Sequence, residues 1–175
     1  MANYLLVDGY NVIFAWKELK EMSEINLDAA RTMLQDTLSE LQGYTKETVI
    51  LVFDGYKVKN NPGTVMKYHN IYVIFTKEAE TADQYIEKAT GQYVREGHVR
   101  VATSDWLEQI IIMGQGAERI SSRDLQKEVK EMKKYLRKHY TEPAVKKRNS
   151  LIDNLSPEMA AFMRELRLKE TKDET

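Results

Sequence analysis

Apolar residues in this chain fall into short unbroken runs, and the runs alternate with stretches of three- and four-residue spacing. Tyr4-Leu5-Leu6-Val7 is apolar throughout and stops at Asp8-Gly9. Thr48-Val49-Ile50-Leu51-Val52-Phe53 stops in the same way at Asp54-Gly55. Ile71-Tyr72-Val73-Ile74-Phe75 is a third such run, and Val99-Arg100-Val101-Ala102, interrupted by Arg100, is a fourth predicted strand, ending at Thr103-Ser104-Asp105. Strands covered on both faces read as continuous apolar runs, so these four are predicted buried parallel strands. Glu118-Arg119-Ile120 is a short fifth. Helical spacing fills the intervals. Val12 to Met22 is predicted as one helix. Asn26 caps a longer one through Leu27, Ala30, Leu34, Leu38 and Leu41, which Gly43 is expected to stop. Thr81 to Arg95 and Trp106 to Met113 follow, the latter ended by Gly114 and Gly116, and Ser121 or Ser122 caps a last long helix to about His139. Asn60-Asn61-Pro62-Gly63, between Tyr56 and Val65, is a turn signal. Alternating strands and helices predict an α/β fold: a mostly parallel central sheet flanked by helices. The domain is expected to occupy residues 1–140. Pro143 and Lys146-Lys147-Arg148-Asn149-Ser150 read as a basic linker and Ser156-Pro157-Glu158 as a helix start, making residues 141–175 an extension.

Composition narrows the chemistry. The 175 residues are 42% hydrophobic, enough for a real core. There is no cysteine, which excludes disulfides, thiol nucleophiles and thiolate metal sites. The three histidines, His69, His98 and His139, lack metal-ligand spacing. The apolar runs are too short to span a bilayer, and Met1-Ala2-Asn3-Tyr4 lacks the basic start of a signal peptide. A cytoplasmic monomer without membrane contact is expected. Charge is uneven: residues 1–126 carry 13 Lys and Arg against 18 Asp and Glu, whereas residues 127–150 carry 9 against 3. An acidic body followed by a basic segment suits a carboxylate site with a surface for polyanions nearby. The same basic run would also serve as the solvated face of a helix.

Three predicted strands end on an acid: Asp8, Asp54 and Asp105. In an open parallel sheet those ends face one crevice. Glu80 and Asp83 open the helix after the third strand, with Glu87 one turn beyond Asp83 on the same face. Two unit charges about 4 Å apart repel by about 4 kcal/mol at an effective dielectric of about 20, so such a cluster needs a partner or must protonate. A divalent cation removes the repulsion, and with oxygen donors alone on offer it would be Mg²⁺ or Mn²⁺. That chemistry supports phosphodiester hydrolysis. Each acid singly also has a structural role open to it: a turn for Asp8 and Asp54, dipole compensation for Asp83, a helix cap for Asp105. Asn11, Thr103 and Ser104 fall beside the same edge, where capping is their ordinary use.

Leu5-Leu6-Val7-Asp8-Gly9-Tyr10-Asn11-Val12-Ile13 resembles the opening motif of the NYN nucleases, a PIN-like group. Val52-Phe53-Asp54-Gly55, Glu80-Thr81-Ala82-Asp83-Gln84-Tyr85-Ile86-Glu87 and Val101-Ala102-Thr103-Ser104-Asp105 continue the pattern, and together they resemble its YacP-like branch. The resemblance implies a PIN-like three-layer sandwich that cuts RNA with Mg²⁺ or Mn²⁺. It places catalytic and metal-binding roles on Asp8, Asp83 and Asp105, with Asn11, Asp54 and Glu80 nearby; Ser104, by its place in the strand–helix turn, could orient a water or a carboxylate in support. The resemblance further implies messenger RNA as substrate, cut on the translating ribosome in its decoding site.

An acidic site still has to attract a polyanion. Lys57 and Lys59 follow Asp54, and Lys67 lies near Tyr68, His69 and Tyr72, whose rings could stack on bases. Lys130, Lys134 and Arg137 lie on the last long helix, and Lys146, Lys147 and Arg148 follow it, a set able to grip phosphates of messenger or ribosomal RNA. Tyr4, Tyr85, Tyr93 and Trp106 are assigned to packing. Two other readings stay open: a catalytically silent RNA- or ribosome-binding module of the same fold, and a phosphatase using Asp8 as nucleophile. The latter lacks an Asp-x-Asp after the first strand.

Overall fold

The computed structural model describes residues 1–57 and 63–140. Six strands form one sheet: β1 (Ala2–Asp8), β2 (Thr48–Phe53), β3 (Thr64–Tyr68), β4 (Ile71–Phe75), β5 (Gly97–Ala102) and β6 (Glu118–Ile120). Their order is β3-β4-β2-β1-β5-β6, and every pair is parallel except β3 with β4. The helices are α1 (Gly9–Ala15), α2 (Lys17–Ile25), α3 (Leu27–Thr45), α4 (Ala82–Tyr93), α5 (Trp106–Gly114) and α6 (Ser122–Tyr140). By its contacts the chain divides into two units, Met1–Met132 and Lys133–Thr175; the described part of the second is the end of α6. The expected 1–140 boundary and the extension beyond it lie largely outside the described residues.

Side chains alternate across each strand, so the buried runs supply two cores. Leu6, Ile50, Val52, Ile74 and Val101 pack with Ile86 and Ala89 of α4 and Ile112 of α5. On the opposite face Leu5, Val7, Val49, Leu51 and Val73 are fully buried, as are Leu34, Leu38 and Leu41 of α3. Helix α6 joins that second side. The Trp16 indole N–H donates to the Ser122 carbonyl at 2.7 Å, and Arg100 of β5 bonds Glu128 of α6 at 2.7 Å and Glu47 at 2.8 Å. The result is the expected three-layer sandwich.

Four local expectations are corrected. The first helix breaks at Trp16, which is extended at φ −90°, ψ 119° and divides α1 from α2; burying its indole against Ser122 outweighs helical continuity. Helix α3 passes Gly43 and closes at Lys46, in the left-handed region at φ 62°. The sheet has six strands, not five: β3 is an antiparallel edge strand, exposed along almost its whole length, so no buried apolar run betrays it. Trp106, assigned to packing, is 69% exposed.

The chain builds β1, moves outward to β2 and β4, then returns to place β5 on the other side of β1. That reversal is the switch point where ligands settle in open α/β sheets, outside the carboxyl ends of the strands.

Candidate active site

Asp8 is the last residue of β1 and caps α1: its carboxylate accepts the Asn11 N–H at 3.2 Å. Gly9 follows at close quarters: a Cβ there would lie 2.3 Å from the Phe53 ring and force that buried ring to move. Asp54 follows β2, and Gly55 is fixed more tightly still, since its Cβ would fall 1.7 Å from the Thr76 carbonyl oxygen. Thr81 caps α4 through a full capping box with Gln84, which sets Asp83 in the first turn. Asp105 caps α5, accepting the N–H groups of Leu107 at 2.9 Å and Glu108 at 3.2 Å. Strand ends and helix starts thus aim four acids at one place. Asp8, Asp54, Asp83 and Asp105 line a single cleft of about 270 Å³ with Asn11, Tyr10, Phe14 and Tyr56.

The tightest acidic group includes a residue that sequence reading missed. Asp8, Asp83 and Glu108 each offer a carboxylate oxygen, and these oxygens lie within 4.8 Å of one another. Glu108 is 5% exposed, and one of its oxygens accepts the Thr103 hydroxyl at 2.5 Å. Its other oxygen, Oε1, is buried without a hydrogen-bond partner. An orphaned buried carboxylate oxygen beside two more carboxylates is costly unless it binds something positive. Burial pushes the Glu108 carboxyl up to about 8, with Asp8, Asp83 and Asp105 adding repulsion. Burial also lifts Asp8, to about 7, despite the Asn11 N–H; the nearby Asp83 and Asp54 raise it further. The all-oxygen donor set, its spacing and the orphaned atom fit a hard divalent cation such as Mg²⁺ or Mn²⁺.

The other predicted residues are placed as follows. Asn11 accepts the Ser104 N–H at 2.8 Å and the Ser122 hydroxyl at 3.1 Å, and Ser104 donates to Ser122 at 2.9 Å. This triangle ties the end of β5 to α1 and α6. Glu80 does not line the cleft; it pairs with Lys88 at 3.1 Å. Lys67 is exposed on β3, 6.0 Å from the centre of the Tyr72 ring, which is itself 41% exposed. Lys130, Lys134 and Arg137 are exposed on α6, opposite its buried Leu125, Val129 and Met132. The Lys57 side chain, Lys59, Lys146, Lys147 and Arg148 lie outside the described residues.

A mostly parallel sheet with acids gathered at its switch point agrees with the fold that the resemblance to the NYN nucleases implied. The chain belongs to the YacP-like NYN domain family, whose model matches residues 5–168. It is 48% identical over 128 residues to a protein of Bacillus subtilis (strain 168) named "Uncharacterized protein YacP", covering 71% of this chain and 74% of that one. Its fold is similar to the crystal structure of Rae1 (YacP) from Bacillus subtilis, with TM-score 0.71 and 36% identity over 97% of both chains. A single-substitution variant of that protein matches with TM-score 0.67 and 38% identity, over 88% of this chain and 85% of that one. Among the described residues no helix is long and apolar enough to cross a membrane.

Proposed function

We propose that this protein is a metal-dependent endoribonuclease that hydrolyses messenger-RNA phosphodiester bonds on the translating ribosome, in its decoding site. The observation that carries the reading is the convergence of Asp8, Asp83 and the orphaned Glu108 within one ligand sphere. Asp8 and Asp83 are the essential ligands of Mg²⁺ or Mn²⁺, and Glu108 completes the set. Asp105, whose Oδ1 is engaged at the head of α5, lines the cleft as a further ligand or as the residue that orients the attacking water. When bound, the cation supplies Lewis acidity for an in-line displacement and offsets the clustered negative charge. Asp8 and Glu108 must give up their protons to receive it. Asn11 and Ser104 brace the strand ends that carry Asp8 and Asp105. Glu80 supports the start of α4 through Lys88. Lys67, Lys130, Lys134 and Arg137, together with Lys57, Lys59, Lys146, Lys147 and Arg148, supply the cationic contacts to messenger and ribosomal RNA. Residues 1–140 form the nuclease domain and 141–175 a basic linker followed by a C-terminal helix extension; the protein acts in the cytoplasm as a monomer.

The test maps new RNA ends on a translated messenger RNA, with ribosomes and Mg²⁺ or Mn²⁺, for wild type, Asp8→Asn and Asp83→Asn. Cutting by wild type alone is expected, with all three proteins folded by thermal melt. Equal cutting by all three would remove the metal assignment. Ribosome binding without cutting in any of them would favour the silent binding module.

A further inference from the structure

The cleft has an aromatic wall that the carboxylate chemistry leaves unexplained. Phe14 is 46% exposed and Tyr56 66% exposed, yet both line the same cavity as Asp8, Asp54, Asp83 and Asp105. Phe14 stacks on Tyr10 with ring centres 6.2 Å apart and planes 21° apart. Tyr10 is buried; its ring meets Phe53 at 5.1 Å, and its hydroxyl accepts Arg31 at 2.8 Å. Tyr56 sits on the single turn Gly55–Lys57. That turn is held by the Gly55 N–H, which donates to the Thr76 hydroxyl at 3.0 Å, and by the close approach of Gly55 to Thr76. Phe14 thus rests on a buried aromatic stack and Tyr56 follows a glycine held against Thr76, and both exposed rings line the cleft beside the carboxylates.

We propose that Phe14 and Tyr56 form the stacking wall for a nucleobase flanking the phosphodiester held at the carboxylates. The proposal rests on the nuclease reading for its ligand, an oligoribonucleotide. Every base offers a π-face, and base–aromatic stacking tolerates any sequence. A paired base keeps its faces inside the helical stack, so this wall takes an unpaired base turned outward. The wall gives the site affinity for bases that its acids cannot supply, and it fixes which phosphate of a strand comes to rest over Asp8 and Asp83.

The test uses the full-length Asp8→Asn protein, so that RNA stays whole, and two fluorescein-labelled probes of equal length and charge. One is an unpaired oligoribonucleotide of mixed sequence; the other is the same ribose-phosphate chain without bases. Anisotropy titrations are expected to show tighter binding of the base-bearing probe. Phe14→Leu and Tyr56→Leu, added to Asp8→Asn, should each weaken it by about tenfold, the size of one lost stack, and leave the abasic probe unchanged. Tyr56→Phe keeps the ring and should keep the affinity. Leucine preserves apolar bulk, and thermal melts verify folding. Equal affinity for both probes, a preference untouched by the leucine variants, or binding of neither probe would overturn the wall. Failure of the nuclease reading is separate: base-selective binding by a protein whose wild type never cuts would keep the wall and discard the enzyme.

Discussion

Asp8 and Glu108 carry the electrostatic tension of the site. Both carboxyls are held above their ordinary values, to about 7 and about 8, mainly by burial. Without a cation, the folded protein therefore holds these protons more tightly than the unfolded chain does. Their contribution to stability is complete below about pH 4 and is lost as pH rises through about 7 and 8. A bound cation reverses this by favouring the ionised forms. The rise in melting temperature on adding Mg²⁺ or Mn²⁺ is accordingly expected to grow between about pH 6 and pH 8 and to vanish in Asp8→Asn. A rise independent of pH would place the cation elsewhere. Glu108→Gln removes a buried charge and keeps an acceptor for Thr103. At pH 8 it should stabilise the cation-free protein by about 1–3 kcal/mol in chemical denaturation while lowering cutting at least ~100-fold. Asp8, Asp83 and Asp105 were legible in the sequence because strand-end and helix-start positions betray them. Glu108 was not: it lies inside the apolar stretch Trp106–Met113, three residues after a capping Asp, where an acid is an ordinary helix-start signal. Only the fold turns it inward.

At the scale of elements, the site depends on where strands stop. Gly55 lets β2 end against Thr76, and a methyl group there would strike the Thr76 carbonyl at 1.7 Å. Gly55→Ala is expected to cost about 2–3 kcal/mol in urea unfolding and to move both Asp54 and Tyr56. Helix α6 is fastened by Arg100, which bonds the buried Glu47 and the half-buried Glu128; burial disfavours its charge, yet the hydrogen bonds to both acids outweigh this and hold its guanidinium well above the usual range. Arg100→Met leaves Glu47 buried and unpaired and should cost about 3 kcal/mol, read from the same unfolding curves. The strands of the sheet interior were legible because burial leaves mostly apolar runs, interrupted in β5 by the ion-paired Arg100. The missing strand β3 and the break at Trp16 were not, for opposite reasons. β3 is exposed and shows no buried pattern, whereas the helix break is set by a hydrogen bond to Ser122, a residue 106 positions away.

At the scale of the whole molecule, the strand order places the acids, and the charge pattern divides the labour. Asp8 and Asp105 flank the switch point between β1 and β5, an arrangement that the alternation of strands and helices makes readable in the sequence. The acidic body would repel RNA by itself; in the proposed function the exposed lysines of α6, opposite its buried stripe, counter this. Lys130→Glu with Lys134→Glu should weaken retention on ribosomes and flatten its salt dependence, measured by co-sedimentation, without changing cation binding. The most direct test of the carboxylate centre is calorimetric titration of wild type, Asp8→Asn, Asp83→Asn and Glu108→Gln with Mn²⁺ at pH 7, in two buffers of different ionisation enthalpy. Wild type should bind and release protons, and each variant should bind at least about tenfold more weakly with fewer protons released. Unchanged affinity and proton release in all three variants would mean that these carboxylates do not hold the cation.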